Sequence, residues 1–134
     1  MTGRQAPNAY QEMQVLGSDS RKLVVLLCQA LKRYMLRAKS AIESCDYEAK
    51  AQALIHANQV LSELICSLDL EAGGEMAENL RDLYVHLQRQ LVDVDLQDDI
   101  HRLNHVIEIT QKLADAWEEA AQKCAQDQAT EKAA

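Results

Sequence analysis

Apolar residues recur at three- and four-residue steps along most of this chain, which is the period of an amphipathic α-helix. Four such stripes follow one another, with short breaks near residues 44–46, 69–74 and 95–97. Because short joints force each helix to turn back on the previous one, the pattern predicts an all-α, antiparallel up-down four-helix bundle. The predicted stripes are Leu23, Leu27, Ala30, Tyr34, Ala38 and Ala41; Tyr47, Ala51, Leu54, Asn58, Leu61, Ile65 and Leu68; Met76, Leu80, Leu83, Leu87, Leu91 and Val94; and Ile100, Leu103, Ile107, Thr110, Leu113 and Trp117.

The helix boundaries follow from capping residues. Asp19 and Asp46 are good N-caps for the first and second helices, since a carboxylate accepts from free backbone N–H groups. A helix that ends near residue 68 needs a left-handed residue to close it, and glycine adopts that conformation without a Cβ penalty. We therefore expect Asp69, Gly73 and Gly74 to form the reversal into the third helix.

The remaining segments lie at the two ends of the chain. Residues 1–18 precede the first long helix, and their apolar side chains predict a segment that packs on the bundle as a permanent or displaceable lid. Tyr10, Met13 and Val15 are the predicted lid residues. The bundle then occupies residues 19–120, and the polar tail of residues 121–134 either extends the fourth helix or frays.

Composition narrows the class of protein. The chain has 134 residues, a formal net charge of −7, 4% aromatic residues and one proline, which is typical of a single helical domain. A negative surface repels phosphate backbones, so we expect no nucleic-acid partner. The longest apolar run, residues 23–28, is too short to span a bilayer, and the N-terminus lacks the apolar core of a signal peptide. These features predict a cytosolic protein whose four separated cysteines are free thiols.

Candidate chemistry in the sequence is sparse. His101 and His105 are four residues apart and share a helix face, but no glutamate of an HExxH motif accompanies them. A di-iron bundle would need two Glu-x-x-His motifs, which the chain lacks. We therefore expect no enzyme activity, no cofactor and no metal site.

The helices carry more apolar residues than a bundle core requires. The surplus residues either widen the core or line a surface groove, and such a groove can receive an amphipathic partner helix. The groove candidates are Tyr84 and Leu87 on the third helix, with Ile107 and Ile109 on the fourth.

Four segments, in order and at matching spacing, resemble the FliS family of flagellar secretion chaperones. They are NAYQEMQV at 8–15, RKLVVLL at 21–27, SLDLEAGGEMAENLRDLY at 67–84 and LADAW at 113–117. The resemblance covers about residues 8–120. The chain departs from it where Asp19-Ser20 replaces a usual Ser-Pro, and where 27–30 and 94–95 replace the usual LYDG and AN.

The resemblance implies a cytosolic export chaperone. Such proteins bind the disordered C-terminal segment of flagellin, prevent its premature polymerisation and deliver it to the flagellar type III export apparatus, with export-gate components as further partners. It also implies that flagellin displaces the N-terminal segment, where Tyr10 matches the motif tyrosine. Three alternatives stay open at this stage: a helical adaptor for another amphipathic segment, a metal-binding bundle and a structural oligomer.

Overall fold

Four helices pack side by side in the computed structural model, which describes the backbone of residues 21–133 and the side chains of 22–123 and 126. They are α1 (Arg21–Glu43), α2 (Tyr47–Cys66), α3 (Leu70–Gln97) and α4 (Ile100–Ala133). Helices α1 and α3 each pack against both α2 and α4, so every helix has two neighbours. The predicted all-α four-helix bundle is confirmed. Helix α4 continues through the predicted polar tail, and the N-terminal segment of residues 1–18 lies outside the described residues.

The core stripe of α1 differs from the predicted one. Leu23 is 46% exposed, although the period placed it on the buried face. Leu27, Ala38 and Ala41 of the predicted stripe are buried as expected. Tyr34 is only partly buried and lies on the flank of α1 toward α2, where its ring is 5.1 Å from that of His56. Because α1 also packs on α4, its buried centre is rotated away from that flank. The buried residues along that centre are Val24, Cys28, Leu31, Met35, Ala38 and Ile42.

The first joint follows the sequence prediction. The side chain of Asp46 accepts a hydrogen bond from the Ala49 N–H at 3.1 Å and so caps α2. Cys45, just before it, has a positive φ of 59°, which lets the chain reverse within three residues. The prediction that Asp46 begins the second helix is confirmed.

The second joint lies one turn earlier than the glycine pair suggested. Helix α2 ends at Cys66, and the Asp69 carboxylate accepts from the Ala72 N–H at 2.9 Å, capping a helical turn that already belongs to α3. The Gly73 N–H donates to the Asp69 carbonyl within that turn. Gly74, with φ 54° and ψ −132°, kinks α3 instead of closing α2. The reversal therefore falls at residues 67–69, because the Asp69 cap restarts the helix before the glycines are reached.

The third joint is held by a buried lysine. Asp98 ends α3 in a left-handed conformation (φ 52°). The Lys50 ammonium on α2 donates to the Asp98 carboxylate at 2.6 Å and to the Asp95 backbone carbonyl at 3.0 Å. It also lies 3.2 Å from the Asp95 carboxylate. The hydrogen bond to Asp98 raises the pKa of Lys50 above its usual value, so the ammonium stays charged throughout the physiological range.

Helix α4 begins with its own cap. The Asp99 carboxylate accepts from the Arg102 N–H at 3.0 Å. That backbone hydrogen bond, assisted by the Arg102 guanidinium, lowers the pKa of Asp99. A lowered pKa means that the cap stabilises the fold above the ordinary range of an aspartate and loses this effect as acid protonates it.

Two polar atoms lie unsatisfied within the core. The Tyr84 hydroxyl and the Trp117 indole N–H are both buried, and among the described residues neither has a partner at full hydrogen-bonding geometry. Burial, and after it the neighbouring Cys28 thiol, raise the pKa of Tyr84, so its hydroxyl is neutral, while the nearby Trp117 indole N–H opposes this shift by a weak interaction with the hydroxyl. Burial likewise raises the pKa of Cys28 to about 11. A buried polar atom without a partner costs about 1–3 kcal/mol, so this cluster is a weak point of the core.

Replacing the buried lysine tests its role at the third joint. We expect Lys50→Met to lower the free energy of unfolding by about 1–2 kcal/mol, because the apolar stem is kept while Asp98 and the end of α3 lose their donor. Urea unfolding followed by circular dichroism measures this change. Lys112→Met is the control, since Lys112 is exposed and should change stability by less than about 0.5 kcal/mol. Equal effects of the two substitutions would contradict the assignment.

Removing the Tyr84 hydroxyl should change the free energy of unfolding in the opposite direction to Lys50→Met. We expect Tyr84→Phe to raise the free energy of unfolding by about 1 kcal/mol, since it deletes a buried polar atom without leaving a cavity. Thr110→Val is the matched control, because the buried Thr110 hydroxyl donates to the Val106 carbonyl at 3.0 Å. That substitution should lower stability by about 0.5–1 kcal/mol. A loss of stability in Tyr84→Phe would contradict this and show that the hydroxyl accepts from the Trp117 indole N–H.

Candidate partner-binding groove

Helices α2 and α3 leave an apolar strip exposed along the line where they meet. Tyr47 and Ile55 on α2 are 56% and 57% exposed, and Val92 and Leu96 on α3 are 57% and 76% exposed. These are four of the eight large hydrophobic side chains exposed among the described residues. Ile55 and Val92 line the seam itself, while Tyr47 lies beside Lys50 and Leu96 one helical turn beyond Val92. Neighbouring exposed apolar residues are typical of a binding site, whereas scattered single residues are not.

The strip borders a groove with a volume of about 400 Å³. Leu54 and Leu91 form its buried floor, while Ile55 and Val92 stand on its two sides. The full lining consists of Ala51, Leu54, Ile55, Asn58 and Gln59 from α2, with Gln88, Leu91, Val92 and Asp95 from α3. An apolar floor between two helices matches the apolar face of a third helix.

Polar groups mark both ends of this groove. Toward the end of α2, the Gln88 side-chain amide on α3 donates to the Ser62 hydroxyl at 3.0 Å. At the opposite end, Asp95 meets Lys50, whose ammonium lies 5.3 Å from the centre of the Tyr47 ring. Both clusters join α2 to α3, so they hold the two sides of the groove at a set distance. They also offer hydrogen-bonding groups that can orient a partner lying between them.

The structure places the predicted groove residues of α3 in the core. Tyr84 and Leu87 are both 0% exposed, so neither presents surface to a partner in this conformation. Their neighbours on the outer side of α3, Val85 and Val92, are partly buried and exposed, respectively. The side chains of α3 that a partner can reach are therefore rotated from the predicted ones toward α2.

The two predicted residues of α4 lie on different sides of that helix. Both Ile107 and Ile109 are partly buried against the core. Ile107 is one turn from Gln111, which accepts from Lys32 of α1. Ile109 shares a flank with Arg102, which donates to Gln90 of α3 at 2.7 Å. Two residues turn about 200° around a helix, so this pair borders two different interhelical seams and forms no single groove with Tyr84 and Leu87.

The predicted lid residues Tyr10, Met13 and Val15 lie outside the described residues, so their predicted role stays a prediction. The structure instead exposes Ile55 and Leu96, which the sequence did not suggest as partner-binding residues, and Tyr47, which the period had placed in the core stripe of α2. Ile55 carries the clearest signal, because it is a β-branched apolar residue beside Gln52, His56 and Gln59 on an otherwise polar outer face. Ile55 can be recognised as an exposed apolar residue only when the buried face of α2 is known.

The histidine pair lies elsewhere, on the outer surface of α4. His101 and His105 are exposed beside Asp99, Arg102 and Glu108 in a shallow depression. Among the described residues, no group of three or more His, Cys, Asp or Glu side chains is arranged to hold a metal ion. Within residues 21–133, no helix combines the length and apolar character needed to cross a membrane.

Comparison with known proteins identifies the family. The family model described as "Flagellar protein FliS" matches residues 3–124. The flagellar secretion chaperone FliS of Campylobacter jejuni is 34% identical over 119 residues, which cover 89% of this chain and 93% of that protein. The Salmonella typhimurium protein of the same name is 30% identical, with 84% of each chain covered. The Bacillus subtilis protein is 28% identical, with 85% of this chain and 84% of that protein covered. The chain belongs to the FliS family of flagellar secretion chaperones.

Proposed function

We propose that this protein is a cytosolic export chaperone that binds the disordered C-terminal segment of flagellin in the groove between α2 and α3. It prevents premature polymerisation of that segment and delivers flagellin to the flagellar type III export apparatus. The proposal rests on membership in a family of flagellar secretion chaperones and on one structural observation, the exposed apolar groove. No catalytic step is required, since the chaperone acts by binding its client and covering the segment that would polymerise.

The groove supplies the driving force for this binding. A disordered segment that becomes helical on binding loses about 2–5 kcal/mol of the interaction energy to ordering. Covering a half-exposed Ile or Val side chain returns about 1 kcal/mol. Ile55, Val92 and Leu96, together with the apolar residues of the client that they cover, can therefore offset the ordering cost. The polar ends at Gln88 and Asp95 then set the direction in which the client helix lies.

The empty chaperone must keep this apolar strip soluble. A formal net charge of −7 keeps copies apart by mutual repulsion, which opposes self-association through the groove. The N-terminal segment, with Tyr10, Met13 and Val15, acts in this proposal as a lid that flagellin displaces. Such a lid lowers the apparent affinity by the fraction of molecules that are closed, which favours later release at the export gate.

Polar substitutions on the groove sides test the binding site. We expect the double variant Ile55→Ser with Val92→Ser to weaken binding of a flagellin C-terminal peptide by about 30-fold or more, since each loss of 1.4 kcal/mol is tenfold. Calorimetry measures the affinity. Both positions are exposed, so the fold should persist.

The matched control is Leu36→Ser with Leu70→Ser. These two leucines are 44% and 42% exposed and lie outside the groove. We expect this control to bind the flagellin peptide as the unaltered chain does. Weakening by both variants alike would show that general hydrophobicity, and not the groove, determines binding. A chain that binds other amphipathic helices as well as flagellin would be a general adaptor.

Removing residues 1–17 tests the lid. We expect the shortened chain to bind the flagellin peptide more tightly, because no molecules remain in the closed state. The heat-capacity change should become more negative, since apolar surface that the lid covered beforehand is now covered by the client alone. Calorimetry at several temperatures gives both quantities. Unchanged affinity and heat-capacity change would contradict the lid.

A further inference from the structure

Helix α1 has a charge opposite to that of the protein. It carries six of the 14 basic residues of the chain and one of its 21 acidic residues. The protein as a whole has a formal net charge of −7. A basic helix on an acidic protein is a local feature that the bundle fold does not require, and no part of the proposed flagellin groove uses it.

Three of these basic residues share the outward face of α1. Lys22, Arg33 and Arg37 are all exposed. With Leu26 they follow steps of four, seven and four residues, which keep them within about 60° around the helix. We call this set the α1 stripe. From Lys22 to Arg37 it runs about 22 Å at 1.5 Å per residue, or four helical turns.

The charges of the stripe are available to a partner. No carboxylate among the described residues lies within 4 Å of the cationic groups of Lys22, Arg33 or Arg37. The Arg37 guanidinium packs over the Tyr34 ring at 5.4 Å, which orients it while leaving it exposed. Leu26, between the charges, is 60% exposed and adds an apolar contact. A partner that fits must offer carboxylates on both sides of an apolar side chain.

The α1 stripe is too narrow to bind an extended anionic surface such as a membrane or a nucleic-acid duplex. On the α4 side, Asp115 and Glu118 are exposed and line the depression that also contains Arg33. On the α2 side, Glu63 is exposed. A membrane or a nucleic-acid duplex would meet these carboxylates together with the stripe, and the net negative charge would repel it. A single helix covers only the stripe and avoids its acidic borders.

We propose that the α1 stripe is a second docking surface, separate from the groove between α2 and α3, for an acidic amphipathic helix of a partner protein. Its carboxylates pair with Lys22, Arg33 and Arg37, and its apolar face covers Leu26. Helix α2 lies between this surface and α3, so the protein can hold a client in one and an acidic partner on the other.

Charge reversal tests this surface in the full chain. The probe is a fluorescein-labelled helical peptide of three Leu-Glu-Glu-Leu-Ala-Glu-Ala repeats, with binding followed by fluorescence anisotropy at low salt. We expect Arg33→Glu with Arg37→Glu to weaken binding at least about tenfold. Arg33→Gln with Arg37→Gln should weaken it by a smaller factor. A peptide with glutamine in place of glutamate should bind weakly, and binding should fall as salt rises.

The matched control is Arg89→Glu with Lys112→Glu. Both residues are exposed and outside the stripe, and the two double variants change the net charge equally. We expect the control to weaken peptide binding by less than about threefold. Equal weakening in both variants would overturn the proposal, because the overall field would then account for binding. So would absence of peptide binding to the unaltered chain.

Three further measurements decide the occupant and the separation of the two surfaces. Stronger binding to phosphatidylserine vesicles or to a DNA duplex than to the peptide would overturn the assignment of a protein helix. A dimer in sedimentation that Arg33→Glu with Arg37→Glu dissociates would make a second copy the occupant and overturn it as well. We expect the same variant to bind the flagellin peptide normally, and selective loss of that binding would overturn the separation. Failure of the unaltered chain to bind flagellin counts against the proposed function alone.

Discussion

Burial of one wide apolar stripe by each helix is the constraint on which this structure depends. Each helix must cover two neighbours at once, so its buried face is wider than the seam between two helices. Helix α1 shows this best, with Val24, Cys28 and Met35 fully buried between its flanks toward α2 and α4. Because the interior is closely packed, the direction of each buried face determines which residues remain outside. The groove between α2 and α3 and the exposed face of α1 both follow from the directions of these buried faces.

At the joints between helices, polar side chains hold the helix ends in place. Three aspartates cap three helices, and their side chains accept from backbone N–H groups that would otherwise lack partners. Lys50 completes the set from a buried position, since its ammonium ties the end of α3 to the start of α2. The groove between those helices therefore has a fixed width at that end. Under the proposed function, this rigidity favours binding of a disordered client, because the ordering cost then falls on the client alone.

The two surfaces differ in the physics of binding. The groove between α2 and α3 offers apolar area with a few polar groups, which suits a client that folds on contact. The α1 stripe offers positive charge that no carboxylate of the described residues pairs with, on a protein that is otherwise negative, which favours rapid and salt-sensitive encounters with an acidic partner. If both proposals hold, separating the two modes lets one bundle keep its client and exchange a second partner quickly.

The sequence predicted the fold well, because four stripes of period 3.6 and short joints leave few arrangements open. It predicted the Asp46 cap for the same local reason. It misplaced the second reversal, since Asp69 and Gly74 compete for the turn and the capping hydrogen bond from Ala72 decides between them. Periodicity put Leu87 in the stripe of α3 and left Tyr84 outside it as a surplus apolar residue, but it could not tell whether the core or a groove would receive them.

The sequence by itself determined the helical class, the number of helices and the family, since these depend on local period, short joints and motif spacing. The tertiary structure alone decided which flank of each helix faces inward. Helices α1 and α3 are apolar over more than one face, so rotation about the helix axis is settled by packing against two neighbours at once. That rotation buries Tyr84 and leaves Ile55 and Val92 outside as the sides of a groove.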